Sequence, residues 1–302
     1  RSEFGRIGMQ INDSLTFHDW MDVYRKLVYW ELELENAGNQ MDEVLRMQKD
    51  EANSTFVKFV KKNYEGWFKD GSDRPLMSQD LFKKKVFPLL DAGEQAFFIV
   101  IDNFRFDQWR VAKELLRSDF VTEEEQLYCT ILPTATQYAR NAIFSGLMPL
   151  QIKQMFPKLW VDEEDEDGKN NHEEELIQTQ IDRFRKKYTF TYNKINDSQS
   201  GEKLIQDIPS LMKNQLNVVV FNFVDMLSHA RTESKMIREL ASNEAAYRSL
   251  TLSWFKHSSI LEFLKALAQK NVKVMITTDH GTIRSNNAIR VVGDKNTNTN
   301  LR

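Results

Sequence analysis

Cysteine is almost absent from this chain: its 302 residues contain one, Cys129. No intramolecular disulfide can form, which favours a reducing, cytoplasmic compartment. Long apolar runs are missing as well. The longest, Asn217 to Val224, falls well short of the roughly 18 residues of a membrane span, and nothing has the layout of a signal peptide. No membrane insertion is expected. An excess of positive charge is also lacking, since 41 Lys and Arg against 44 Asp and Glu leave a net charge of −3 and a pI near 6.1. Nucleic acid or anionic lipid is therefore not attracted wholesale, and a polyanionic substrate needs metal ions or a local basic patch. Neither GxxxxGK nor GxGxxG occurs, so nothing points to a P-loop or Rossmann nucleotide site. Internal repeats are absent.

What is present is an ordinary globular composition, 41% apolar and 28% charged, long enough for one large domain or a small one plus a larger one. The chain opens at Arg1 without a Met and closes at Arg302 soon after an Asn/Thr-rich stretch, so it reads as a fragment. Residues 1–90 read as a helical bundle or linker. Trp20, Val23, Tyr24, Leu27, Trp30 and Leu34 recur at helical spacing, with cap candidates from Thr16 to Asp19 and a stop at Gly38. This aromatic stripe is expected to be core, the alternative being a docking or dimer face. Met41, Val44, Leu45, Phe56, Phe59 and Val60 form a second run ending near Gly66, and Ser78 to Leu90 a third helix.

The pattern changes at Ala96. Short apolar runs (Phe97–Ile101, Tyr128–Leu132, Val218–Val224, Val272–Thr277) alternate with helical ones (Phe106–Arg117, Gln137–Phe144, Glu173–Lys186, Asn243–Ala268). Continuous apolar strands separated by helices predict an α/β fold with a mainly parallel sheet sandwiched by helices, over residues 91–302. The acidic stretch Asp162–Asp167, followed by Gly168, Asn170 and Asn171, reads as a solvated loop.

Open α/β sheets place their sites at the carboxyl ends of strands. Here those ends carry Asp102-Asn103, Pro133-Thr134-Ala135-Thr136, Asp225 followed by His229, and Thr278-Asp279-His280-Gly281. Singly, an Asp after a strand is usually a turn or cap residue. The four-residue gap from Asp225 to His229 aims both side chains one way if a helix begins there. Asp279 and His280 converge only where the strand breaks, and Gly281 is the expected break. Together the set offers three carboxylates, two imidazoles and a hydroxyl, which suit Zn²⁺ or Mn²⁺.

VIDNFRFD, LPTATQYARNAIFSG, NFVDMLSHAR and TTDHG together resemble the PglZ domain, a branch of the alkaline phosphatase superfamily. The preceding stretch, IGMQINDSLTFHDWMDVYRKLVYWELEL, resembles the region after the receiver domain in PorX-type response regulators, two-component proteins tied to type IX secretion. The resemblance implies that Asp102, Thr136, Asp279 and His280 ligate one metal, with Thr136 also the nucleophile. Asp225 and His229 match two ligands of a second metal. The superfamily's third ligand there is a later His, and no histidine follows His280. That second site is expected to be incomplete. Thr134 is the rival nucleophile. Asn103 and Arg140 are near enough in sequence to contact phosphate.

The expected activity is a two-zinc phosphodiesterase acting on oligonucleotide-type substrates, with Arg105, Arg110, Arg231 and Arg284 as candidates to read the backbone. A signalling effector that binds a sigma factor or secretion component, with little or no hydrolysis, is the rival from another class. A phosphomonoesterase is the third reading. The resemblance also implies a receiver domain ahead of Arg1 and a homodimer.

Overall fold

The computed structural model describes residues 2–13, 15–35, 42–161, 170–285 and 289–290. Gly38, Met41 and the acidic run Asp162–Asp167 with Gly168 lie outside the described residues. The chain divides into two compact units, Arg1–Leu76 with Glu125–Tyr128, and Met77–Glu124 with Cys129–Arg302.

The first unit is built from α1 (Ser2–Ile11), α2 (Phe17–Leu34) and α3 (Asp42–Asn63). Thr16 caps α2 reciprocally. Its hydroxyl accepts the Asp19 N–H at 3.3 Å, while the Asp19 carboxylate accepts the Thr16 N–H at 2.9 Å. Trp20, Val23, Leu27 and Leu34 then bury one stripe against Ile7 and Ile11 of α1 and Leu45 and Ala52 of α3, with Trp30 and Phe59 at the edge. Tyr24 leaves this core and is 44% exposed. At 100° per residue it sits about 40° past Trp20, on the far side from Val23 and Leu27. Val44 and Phe56 of the second run also turn outward.

The second unit begins with a helical segment in three geometries: a tight turn at Ser78–Asp80, a π-helical turn at Phe82–Val86 and α4 (Phe87–Asp91). Pro88 has no N–H to continue an α-helical ladder, so the regular helix restarts around it. Although grouped with the helical region on its sequence, this segment lies in the sheet-bearing unit. Phe82 meets Phe98 edge-on at 4.9 Å and Phe144 at 6.1 Å.

There follow β1 (Ala96–Ile101), α5 (Phe106–Ala112), α6 (Thr136–Ser145), α7 (Pro149–Met155), α8 (Glu173–Arg183), β2 (Phe190–Ile195), α9 (Ser198–Gln206) and α10 (Ile208–Leu211). The unit then continues through β3 (Leu216–Phe221), α11 (Phe223–Glu233), α12 (Lys235–Leu240), α13 (Glu244–His257), α14 (Ser259–Ala268) and β4 (Lys273–Thr277). The strands form one parallel sheet in the order β2-β3-β1-β4. Parallel pairing needs crossovers that cover both faces, and β1 and β3 are buried at every residue. On one face Phe97, Ile99, Ile101, Val219 and Phe221 pack with Phe255, Phe263, Leu264 and Leu267. On the other, Phe98 faces Phe82 and α6.

Several expectations are corrected. Tyr128–Leu132 is not a strand; its one ladder contact is the bridge between Cys129 and Met77. Side chains hold it instead, with the Ile131 N–H donating to Ser78 Oγ at 3.1 Å and Thr130 Oγ1 donating to the Asp279 carbonyl at 2.7 Å. The Asn243–Ala268 helix breaks at Ser258, which caps α14. β3 stops at Phe221, four residues before Asp225. No expectation covered β2. Among the described residues no helix is long and apolar enough to cross a membrane.

Candidate metal centre

β1 and β4 lie side by side and deliver their next residues to one spot. The Asp102 N–H donates to the Phe221 carbonyl at 2.9 Å, extending β1 by one residue. Asn103 then turns into the left-handed region at φ 60°, a conformation Asn tolerates better than most residues. Its N–H donates to Asp279 Oδ1 at 3.0 Å, and the next N–H, of Phe104, donates to Thr278 Oγ1 at 2.9 Å. Asp279 Oδ1 also accepts the His280 N–H at 2.9 Å. These side-chain bonds make the break after β4. Gly281 does not adopt positive φ, so no left-handed turn at that glycine makes the break.

Thr136 opens α6, and its Oγ1 lies 3.2 and 3.4 Å from the Asp102 carboxylate oxygens and 3.1 Å from His280 Nε2. Ligand atoms of Asp102, Asp279 and His280 lie within 4.8 Å of one another. The structure thus brings Thr136, Asp102, Asp279 and His280 together. Thr134 is exposed and makes no bond to them among the described residues. α6 ends cleanly at Gly146, whose φ of 68° suits glycine and whose missing Cβ leaves room for Gln180.

Asp225 and His229 stand apart from this cluster. They occupy the first two turns of α11, and the four-residue spacing puts His229 Nε2 3.5 Å from Asp225 Oδ2. His229 has 59% of its side chain exposed. Asn103 ties the two groups: its Nδ2 donates to Asp225 Oδ1 at 3.2 Å. Burial raises the Asp225 carboxyl pKa, but the bond and charge of His229, with His280 and Asn103, outweigh it and leave the value below the usual range.

Arg140 is not available to a phosphate. It is 1% exposed, its Nη1 donates to Asp102 Oδ2 at 2.9 Å, and its Nε donates to Glu173 Oε1 at 2.9 Å, with Nη2 on the same oxygen. Tyr192 of β2 donates to the other Glu173 oxygen. Arg140 therefore fixes a carboxylate in place. Arg105 is likewise held by Asp107 and Glu244, and Arg231 by Glu244 and the Ala241 carbonyl. Arg284 donates to the Ser242 carbonyl and Arg110 lies over the Phe106 ring. These contacts lead to Asp107, Glu244, Ala241, Ser242 and Phe106, none of them a member of the cluster.

Glu173 and Tyr192 escaped the sequence reading. Glu173 is the first of three consecutive glutamates, and nothing in the sequence separates the buried one from its neighbours.

Burial, followed by the charge of Asp279, holds the Asp102 carboxyl well above the usual range, against the pull of Arg140. Two carboxylates and an imidazole around one hydroxyl form a donor set for a divalent cation. Asn103 Oδ1, buried without a hydrogen-bond partner among the described residues, is a further acceptor beside them. The residues present fit such an ion.

A parallel α/β sheet that gathers this set at its carboxyl rim is alkaline phosphatase-like, a class of phosphoesterases that commonly depend on metals. The chain belongs to the PglZ family: the BREX system PglZ alkaline phosphatase-like domain matches residues 81–301. The PorX response regulator linker domain matches residues 1–68, giving the hydrolase-like domain a response-regulator setting. No curated protein matches the chain.

Proposed function

We propose that this chain is the effector part of a cytoplasmic two-component response regulator and acts as a metal-dependent phosphodiesterase with Thr136 as its nucleophile. The supporting observation is the position of Thr136 Oγ1, 3.2 Å from Asp102 and 3.1 Å from His280 at the first turn of α6. Asp102, Thr136, Asp279 and His280 would hold one Zn²⁺ or Mn²⁺, and Asp225 with His229 would contribute to a second. The cation would supply Lewis acidity, lowering the pKa of a hydroxyl that is otherwise a poor nucleophile and offsetting phosphate charge.

The protein's own groups orient the reaction. Asp102, itself fixed by Arg140, positions the Thr136 oxygen, and the N-terminus of α6 favours an anion through its free N–H groups and dipole. Attack of Oγ1 on phosphorus forms the Thr136 ester and breaks the bond to the leaving alcohol. Water then cleaves that ester, restoring the hydroxyl and releasing a phosphomonoester when the substrate is a diester.

The P-T-x-T pattern favours a diester of oligonucleotide type over a monoester. A second reading draws on the linker match: the chain transmits a signal from a receiver domain as a homodimer and binds a sigma factor or secretion component. One assay separates them. A chromogenic diester and its monoester analogue are offered to the folded protein with and without Zn²⁺, beside Thr136→Ala. Zinc-dependent diester cleavage that falls by on the order of 10³-fold or more in the variant is expected. A zinc-loaded, folded protein that turns over neither ester leaves the signalling reading in front.

A further inference from the structure

Phosphate esters carry negative charge, and the centre's own residues are mostly carboxylates. The cations around it are largely consumed. Arg105 and Arg231 are tied to Glu244, Arg248 to Asp107, and Arg140 to Glu173 and Asp102. Lys194 differs: among the described residues it makes no hydrogen bond or ion pair.

Its position follows from strand geometry. Side chains two apart on a strand share a face, so Lys194 points the same way as Tyr192. Tyr192 donates to Glu173 and its ring meets Phe144 of α6 at 6.1 Å. That face carries Arg140 and Thr136. The next residue, Ile195, packs into the core on the opposite face. Lys194 pairs in register with Val220, one residue before β3 ends, so it lies at the carboxyl rim where Asp102, Asp225 and Asp279 emerge. It is half-buried, and it feels the charges of Arg140, Glu173, Asp102 and Asp225. Burial first, and then Arg140, hold its pKa below the usual lysine value, while the three carboxylates pull it back. Placing a partly desolvated ammonium beside carboxylates without bonding it to any of them serves stability poorly.

We infer that Lys194 contacts the phosphoryl oxygens of the substrate from the β2 side of the site, opposite the N-terminus of α6. This rests on the phosphoesterase reading above and names the cation that the reading otherwise lacks. A compact ammonium binds phosphate as a point charge, tolerates either ester class, and reads no base.

The test uses inorganic phosphate as probe on the zinc-loaded full chain, with wild type, Lys194→Gln and Lys194→Arg. Phosphate affinity is measured by calorimetry and zinc affinity by chelator competition. Lys194→Gln is expected to weaken phosphate roughly tenfold, in line with losing one charge-assisted hydrogen bond, and Lys194→Arg to hold it within about threefold. Zinc affinity should stay level or rise, since a competing cation is gone. Unchanged phosphate affinity in Lys194→Gln, or a wild type that binds no phosphate, overturns the inference. So does a fall in zinc affinity with phosphate binding intact, which would make Lys194 a structural charge. Lys194-dependent phosphate binding without turnover of any ester would keep this inference and sink the enzymatic reading. Ester turnover with a Lys194-independent phosphate site would do the reverse.

Discussion

The two halves of the candidate centre are built to different standards. Asp102, Asp279 and His280 come from the ends of two adjacent strands; both carboxylates are sealed, and one is pinned by a buried arginine that is pinned in turn by Glu173. Asp225 and His229 rest on a single helix face, with His229 more than half exposed and bonded only loosely to its neighbour. The first group is held before any ligand arrives, at a cost in buried charge. The second can be lost or completed without disturbing the core. Rigidity at one ligand group and openness at the other would let one ion stay resident while the other follows substrate or solution conditions.

Replacing Arg140 tests the rigid half hardest. Arg140→Met leaves Asp102 and Glu173 buried without their cation, and should cost about 3–5 kcal/mol in denaturant unfolding, the usual penalty for breaking a buried pair from one side. A loss below 1 kcal/mol would mean the two carboxylates take up protons or shift freely, and the contrast between the halves would fail. Next in size is cation affinity. Asp102→Asn should weaken the tighter zinc event by roughly a hundredfold, whereas His229→Ala should act on the weaker event alone and change unfolding by no more than about 0.5 kcal/mol. Calorimetric titration with zinc would read both. Acid should separate the halves too: a raised carboxyl pKa means protons displace a cation from Asp102 as pH falls through a higher range than at Asp225, whose pKa is lowered.

The smallest effect concerns Asn103, which joins the halves. Asn103→Ala keeps φ positive with a residue that resists it, and should cost about 1 kcal/mol or a little more, while Asn103→Gly relieves the backbone and removes only the bond to Asp225. If both variants lose equal stability, the strain is not in the backbone.

Much of the rigid half was legible in the sequence because apolar strands followed at once by Asp or His advertise both the strand and its rim. Thr136 was legible from the helix it opens, while Thr134, its rival in the sequence, is exposed and makes no bond to the cluster among the described residues. Glu173, Tyr192 and Lys194 were not. The strand that carries Tyr192 and Lys194, FTYNKI, lies at the sheet edge and alternates polar with apolar residues, so it lacks the continuous apolar signature of β1 and β3, while Glu173 sits on α8 among like neighbours. The four arginines were proposed because they neighbour the motifs in sequence. Some of their partners are near in sequence, as Asp107 is to Arg105, but Glu244 reaches Arg105 from more than a hundred residues away, and no local pattern reports that.

The same long separations govern how the protein comes together. Asn103 meets Asp279 across 176 positions, and Thr136 meets His280 across 144. Contacts so distant close late, after nearer pairings have paid the entropy of bringing the chain round. No partial intermediate that lacks β4 can present the full set of donors. A cation bound there would therefore recognise only a chain with β4 in place, and by mass action would hold that chain folded, by about 2.7 kcal/mol at a free concentration 100 times its dissociation constant. Metal supply would then set how much of the protein survives in the cell as well as how much of it is active.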